Sequence, residues 1–364
     1  MKRILQLPGS IERRNGRMSV IMNVYRKIDR SKIQFDFACT DYGFDNYLEE
    51  ITQLGGNVFF VKKETVQNIR QLVSSLLATG KYSYLQYHTI SKWGCSLSVA
   101  HKYNVKTIVE SHSAGLSDTL IKSIRNRIFS LNIIKDSDYR VAISQKAGNK
   151  LFMYQKYTVI PNMVDYPKFK FNQEKRRKIR QQLNIKPDEY LIGCVGRIAK
   201  VKNQEFSLKV LKHLSPKYKI AFVGSEALGG ERIRRLKEIV SDYGIKNRVI
   251  FTGEVRNVND YYSAFDIFWL PSLFEGLPTV VLEALSNGLH CILSDRITRE
   301  VGISNYVDFL PITSKADTLW VHDTVKYSSI RDNIPLEAIN NSIFSTNRVI
   351  SDWMKIYSMN ENYI

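Results

Sequence analysis

The chain has 364 residues, 44% of them hydrophobic, and carries 53 Lys and Arg against 35 Asp and Glu, a formal charge of +18. That length predicts two domains of ordinary size, each able to bury a core, and the composition does not resemble a disordered chain. No run reaches the roughly 18 apolar residues of a transmembrane helix, and the short apolar run behind Met1-Lys2-Arg3 reads as a buried strand meeting a loop at Pro8-Gly9 rather than as a signal peptide.

Cys39, Cys95, Cys194 and Cys291 are scattered, with no C-x-x-C pair and no clustering with histidines. They are expected to be small buried thiols in a reducing cytosol, with no disulfide framework and no zinc site. The positive charge is uneven: residues 1–170 hold 26 basic and 13 acidic residues, residues 171–364 hold 27 and 22. A basic first half suggests a polyanionic partner, for which nucleic acid and an anionic membrane surface are both open on charge alone.

Short apolar runs alternate with helical patterns along the chain, which predicts β-α-β units around parallel sheets. In the first half Ile4–Leu7, Ile33–Ala38, Val58–Val61, Tyr84–Tyr87, Thr107–Val109, Tyr139–Ile143 and Lys156–Ile160 read as strands, with helices over Met18–Lys27 and Val66–Leu77. The basic run at residues 175–180 is expected on a helix ending before Pro187, with the interdomain link just ahead of it. A second series follows, with strands at Tyr190–Val195, Ile220–Val223, Val249–Phe251, Ile267–Leu270 and His290–Leu293, and helices near 203–213, 230–243, 258–264 and 279–287. An amphipathic stretch at 345–358 closes the chain. The domains expected are 1–170 for an acceptor, 171–344 for a donor, and a terminal helix, 345–364, crossing back to the first. The fold class expected is α/β, two doubly wound Rossmann-like domains facing a central cleft, with ligands at the carboxyl ends of the strands.

The segment Leu270-Pro271-Ser272-Leu273-Phe274-Glu275-Gly276-Leu277-Pro278-Thr279-Val280-Val281-Leu282-Glu283-Ala284 joins a strand to a helix. Gly276 suits a tight turn, Pro278 the first helical position, and Gly288 the far cap. Backbone N–H groups over residues 277–280, Thr279 among them, would seat a phosphate at the helix tip. Glu275 is placed to accept hydrogen bonds from sugar hydroxyls and Glu283 to grip a ribose. This framed pair of glutamates resembles the E-x7-E motif of the family 4 retaining glycosyltransferases, which have the GT-B fold.

Further segments carry the same resemblance. Gly196-Arg197, with Lys202-Asn203, is similar to the element whose Arg and Lys hold the donor diphosphate, so Arg197 and Lys202 would neutralise the charge of the leaving group without a metal. Thr252-Gly253-Glu254-Val255 is similar to the turn against the nucleobase, which gives Val255 a donor contact. Asn15-Gly16 before a helix resembles the family's Gly-Gly loop, Asn15 replacing the first glycine on the strength of its tolerance for left-handed angles, and Met18 standing where many members carry an acid. Residues 22–37 look especially like capsule and exopolysaccharide transferases of bacteria. Glu110-Ser111-His112-Ser113 resembles the strand end that carries the cleft histidine, with His88 as a second candidate. Pro161-Asn162-Met163-Val164-Asp165 is similar to the exit from the first domain, with Met163 in place of glycine.

The resemblance implies a metal-independent hexosyltransferase with no cofactor, which takes a nucleotide sugar, UDP-linked by family habit, and acts on a glycan or lipid-diphosphate-linked acceptor. It implies a cytoplasmic location at the inner face of a bacterial plasma membrane, where Arg13, Arg14, Arg17, Lys122, Arg125 and Arg127 would meet anionic headgroups. Alternatives are a nucleotide-sugar epimerase of the same fold and a partner subunit without catalysis. A nucleic-acid binder rests on charge alone, since no such motif accompanies the basic runs.

Overall fold

The computed structural model describes residues 1–13, 15–40, 45–112, 130–153, 155–226, 229–303, 305–313, 315–331, 339 and 341–359. The chain divides into two units, residues 1–163 with 343–364, and residues 164–342. The division falls at 163/164 rather than at 170/171. The short helix of Tyr166–Phe169 packs into the second unit, where Phe169 meets the Tyr262 ring edge-on at 5.6 Å and the Phe169 carbonyl accepts from Asn287 Nδ2 at 2.6 Å.

The first unit is built on β1 (Lys2–Gly9), β2 (Ile33–Thr40), β3 (Val58–Val61), β4 (Tyr82–Tyr87), β5 (Lys106–Ser111), β6 (Tyr139–Ala142) and β7 (Thr158–Val159). All pairs are parallel, in the order β3-β2-β1-β4-β5-β6-β7. Its helices include α1 (Gly16–Lys27), α2 (Leu48–Gln53), α3 (Val66–Leu77), α4 (Cys95–Lys102) and α5 (Gln145–Phe152). A parallel sheet covered on both faces must be apolar on both, and β2 is buried at every position. In α1, Asn15 caps the start by accepting from the Arg17 amide at 3.2 Å; Met18, Ile21, Met22 and Tyr25 recur at helical spacing and are buried; Arg26 and Lys27 sit in the last turn, where cations suit the dipole. Tyr25 stacks on Phe35 with ring centroids 5.0 Å apart.

The last helix of the chain, Thr346–Ser358, completes this core. Val349, Trp353, Ile356 and Tyr357 form one buried stripe, and Tyr357 meets Phe35 edge-on at 5.8 Å. Backbone ends are tied as well: Lys2 Nζ donates to the Tyr357 carbonyl at 2.9 Å and Tyr84 Oη to the Met359 carbonyl at 2.8 Å.

The second unit has β8 (Tyr190–Val195), β9 (Tyr218–Val223), β10 (Val249–Gly253), β11 (Ile267–Leu270), β12 (Cys291–Ser294) and β13 (Val307–Leu310), parallel in the order β10-β9-β8-β11-β12-β13. With α6 (Tyr166–Phe169) come α7 (Gln173–Gln182), α8 (Gln204–His213), α9 (Glu231–Asp242), α10 (Val258–Ala264), α11 (Thr279–Ser286) and α12 (Asp317–Tyr327); the terminal helix is α13. The basic helix α7 is pinned beneath the sheet: Arg176 and Arg180 each pair with buried Asp266, at 2.6 and 2.9 Å, and Asp266 accepts from the Leu191 amide. Thus part of the basic run serves internal pairing. Gly193 is required by close packing, since a Cβ there would lie 2.2 Å from the Phe265 ring.

Of the cysteines, Cys39, Cys194 and Cys291 are buried, while Cys95 is half-buried. No helix among the described residues is long and apolar enough to cross a membrane.

Candidate active site

At the carboxyl edge of the second sheet, four loops are sewn together by backbone bonds. The Gly196 amide donates to Val223, Ile198 to Ser225, Gly224 to Gly253, and Leu273 to Val201, at 2.8 to 3.0 Å. Two glycines make this possible. Gly224, at φ +135°, would put a Cβ 2.3 Å from the Gly196 carbonyl; Gly196, at φ +139°, would put one 3.0 Å from Lys202 Cε. Asn203 takes left-handed angles (φ 53°, ψ 43°) and turns the chain from the short turn of Lys200–Lys202 into α8, while its Nδ2 donates to the Pro271 carbonyl at 3.2 Å.

These ties bring Lys202 and Glu275 into contact. Lys202 Nζ lies 2.7 Å from Glu275 Oε1, which also accepts from Ser272 Oγ at 2.8 Å, and the two side chains are only 18% and 17% exposed. Arg197 is exposed on the same loop, and its carbonyl accepts from Gln204 Nε2 at 3.1 Å. Val255 is half-buried two residues beyond Gly253.

Helix α11 starts beside this pair. Pro278 is its N-cap, with φ −75° and ψ 99°, and Thr279 is the first helical residue, one position later than expected. Having no N–H, Pro278 adds nothing to an anion seat; Thr279 and Val280 supply the first amides of the helix, and Leu277 is buried before them. Gly276 is half-buried in the preceding turn and has no left-handed angle. Gly288 at φ +77° caps the far end as expected, with the Leu289 amide returning to Ala284. By contrast, the tip of α9 is already served by Glu226, which accepts from the amides of Arg232 and Ile233 at 3.1 Å. Glu283, in the second turn of α11, accepts from Tyr262 Oη at 2.7 Å. Burial raises the Glu283 carboxyl above its ordinary value, against the Tyr262 hydrogen bond and the charges of Lys168 and Lys202, which lower it.

In the first unit, Asn15 has extended angles (φ −81°, ψ 106°) and acts as a helix cap rather than as a left-handed turn. Gly16 opens α1, and nothing lies within 4 Å of where its Cβ would stand. Met18 and Met163 are both core residues, which leaves no polar task for either. Of the basic residues proposed for headgroups, Arg13 is engaged by Asp45 at 3.4 Å and Glu50 at 3.5 Å, over the Tyr47 ring. Arg14, Lys122, Arg125, Arg127 and Ser113 lie outside the described residues.

His112 follows the end of β5 and joins a buried network that strand patterning does not combine. Its Nε2 lies 3.0 Å from His88 Nδ1 and 3.4 Å from Glu110 Oε1; His88 Nδ1 lies 3.1 Å from Glu110 Oε2. These three residues offer ligand atoms close enough together to hold a metal ion. Burial drives the His112 imidazole down to about 3, with Glu110 opposing and His88 and Arg17 adding to the shift. Burial alone would raise the Glu110 carboxyl, but His112, His88 and Gln86 hold it below its ordinary value. Gln6, Gln86 and Tyr357 complete the network. The signal for them is present in the chain: Gln6, Gln86 and Glu110 each directly follow an apolar residue inside a buried strand.

The sequence model of the family described as "Glycosyl transferases group 1" matches residues 175–315. A Bacillus subtilis protein named as a glycosyltransferase, EpsF, is 30% identical over 315 residues, covering 82% of this chain and 81% of its own. The Escherichia coli UDP-Gal:alpha-D-GlcNAc-diphosphoundecaprenol alpha-1,3-galactosyltransferase is 26% identical over 308 residues, 77% and 76% of the two chains. Anabaena HepE, solved with UDP and glucose, superposes with a TM-score of 0.82 over 99% of this chain and 100% of its own at 17% identity, which shows a shared GT-B fold.

Proposed function

The chain belongs to the group 1 glycosyl transferases, and from that premise we propose that it moves a hexose or N-acetylhexosamine from a UDP-linked donor to a glycan or lipid-diphosphate-linked acceptor in cell-surface polysaccharide synthesis. The observation that carries this reading is the Lys202–Glu275 pair, packed over Gly196 beside the first amides of α11. A helix tip and a lysine are what a diphosphate needs, and a carboxylate beside them is what sugar hydroxyls need. The pair does not exhaust either group. An ammonium has three donors, so Lys202 can hold Glu275 and a phosphate oxygen together, and Glu275 keeps lone pairs for hydroxyls.

In this mechanism the diphosphate is bound by Lys202, by the exposed guanidinium of Arg197 and by the amides of Thr279 and Val280. Glu283, already held by Tyr262, accepts from the ribose, and Val255 lies against the base. The bond from the anomeric carbon to the phosphate oxygen breaks, the acceptor oxygen bonds to that carbon on the same face, and the acceptor proton passes to the departing phosphate. The donor's configuration is retained, and charge stabilisation with positioning supplies the catalysis. The negative charge is met by these residues and amides, so this step needs no metal. His112, at the end of β5, is assigned a hydrogen bond to a substrate hydroxyl.

UDP as the donor nucleotide is supported by the name of the Escherichia coli relative and by UDP in HepE, and the lipid-diphosphate acceptor by that same name. The basic surplus of residues 1–170 supports docking on an anionic leaflet at the cytoplasmic side. The test is a transfer assay with a panel of UDP- and GDP-sugars and a lipid-linked glycan acceptor. Anomer-retained product from a UDP-sugar is expected; donor turnover to a C-epimer without an acceptor would replace the reading with an epimerase.

A further inference from the structure

The network around His112 contains a chain of forced choices. Glu110 as a carboxylate only accepts, so the Gln86 group 2.8 Å from it is the amide nitrogen. The Gln86 oxygen is then the atom that accepts from Tyr357 Oη at 2.6 Å and from Gln6 Nε2 at 3.2 Å. That turns the Gln6 oxygen toward His88 Nε2, 2.6 Å away, so the His88 proton sits on Nε2 and its Nδ1 presents a lone pair.

This lone pair faces His112 Nε2 at 3.0 Å and Glu110 Oε2 at 3.1 Å, while the other carboxylate oxygen, Oε1, lies 3.4 Å from His112 Nε2. Neutral rings serve these three contacts badly: only an imidazolium at His88 gives both Glu110 Oε2 and His112 Nε2 a proton. One proton on His112 Nε2 serves His88 Nδ1 and leaves the His88 lone pair against the carboxylate. A proton on each ring sets two N–H groups against each other at 3.0 Å. A cation between the two nitrogens and the carboxylate serves all three groups. Tetrahedral zinc with bonds of about 2.0–2.1 Å places its ligand atoms about 3.3 Å apart, near the 3.0 Å between the two nitrogens and the 3.1 Å from His88 Nδ1 to Glu110 Oε2, and two imidazoles with one carboxylate is a ligand set that zinc takes. The Gln6 oxygen on the second nitrogen of His88, and the Gln86 amide on Glu110, are the outer contacts that orient such ligands.

We propose that His88, Glu110 and His112 bind a divalent transition-metal ion of zinc type, which fixes the His112 ring with Nε2 on the ion and its proton on Nδ1. The site lies wholly in the first unit, and its existence does not depend on the donor reading of the second.

The test uses the full chain, purified without chelator, stripped, and titrated with Co2+ under an absorption spectrometer, followed by Zn2+ in a calorimeter. The expected result is one equivalent of Co2+ with the intense visible bands of a low-coordinate site, displaced by Zn2+. Glu110→Gln and His88→Ala are expected to abolish these bands, and Gln6→Leu to weaken Zn2+ binding about 10- to 100-fold, the range seen when outer contacts are removed. The wild-type titration decides even if a variant fails to fold. Absence of the bands in the wild type, or their survival in folded Glu110→Gln, overturns the proposal and leaves protons among the three groups. Donor binding is not read by this experiment, so its failure leaves the transferase reading untouched.

Discussion

Lys202 Nζ and Glu275 Oε1 lie 2.7 Å apart although 73 positions separate them in the chain, and Gly196, having no side chain, leaves room for the lysine to reach the carboxylate. The aliphatic stem of Lys202 occupies the space a Cβ at position 196 would need.

Gly196→Ala is therefore expected to act as a site mutation. The added methyl would stand 3.0 Å from Lys202 Cε, on a backbone at φ +139° that residues with a Cβ rarely adopt. The strain costs about 1–3 kcal/mol, and the displaced lysine should lower transfer at least about tenfold. Thermal unfolding and steady-state transfer measured together check this; an unchanged rate would show that Lys202 has no required position.

Glu275→Gln keeps the shape and removes the charge. It leaves Lys202, 18% exposed, without its anion, and it removes the strongest acceptor for sugar hydroxyls. Transfer should fall about 100-fold or more, while UDP binding changes little or tightens. A variant with wild-type transfer would remove Glu275 from the mechanism.

Tyr262→Phe removes the donor to Glu283 Oε2 without changing the packed ring. Loss of that bond from a half-buried carboxyl should cost about 1–3 kcal/mol of stability. If Glu283 grips the ribose, KM for the donor should rise with kcat nearly unchanged. A fall in kcat alone would place the pair elsewhere in the cycle.

Part of the acid sensitivity should arise from His290, beside the contribution of His112. Its buried ring lies on Tyr327 with centroids 3.6 Å apart, and Nε2 is 2.6 Å from Asp308 Oδ2. Burial lowers its pKa below the ordinary value despite Asp308. With the folded value below the unfolded one, the neutral ring contributes fully above about pH 6.5 and the contribution is lost as pH falls from there. The urea midpoint should drop between pH 7.5 and 5.5, and the drop should shrink in His290→Phe. Equal drops in both proteins would assign the acid response to other groups.

Much of this molecule is legible in its chain. Strands such as Val58–Val61, Tyr190–Val195 and Ile267–Leu270 are continuous apolar runs, and their bounds follow from composition. β13 is not legible in the chain: Val307-Asp308-Phe309-Leu310 is a half-buried edge strand carrying an acid, so no apolar run marks it. Helix α4 hides for a related reason, since Cys95–Lys102 has few large apolar residues and a weak stripe. The loop residues Arg197, Lys202 and Glu275 can be named through the family resemblance that their motifs carry. That Lys202 would contact Glu275 directly could not, because the contact depends on the Leu273–Val201 and Asn203–Pro271 bonds between distant loops. Likewise His88 and His112 were visible as strand-end histidines, whereas their union through Glu110 depends on β4 lying beside β5.

The central claim is that a nucleoside diphosphate is held by Lys202 at the tip of α11, and calorimetric titration of UDP into the wild type and Lys202→Ala tests it most directly. Saturable binding by the wild type, weakened at least about tenfold in a variant with native thermal stability, is the result expected from losing one ammonium–phosphate contact. Equal affinity in the two proteins, or no binding of UDP or GDP by the wild type, would contradict it.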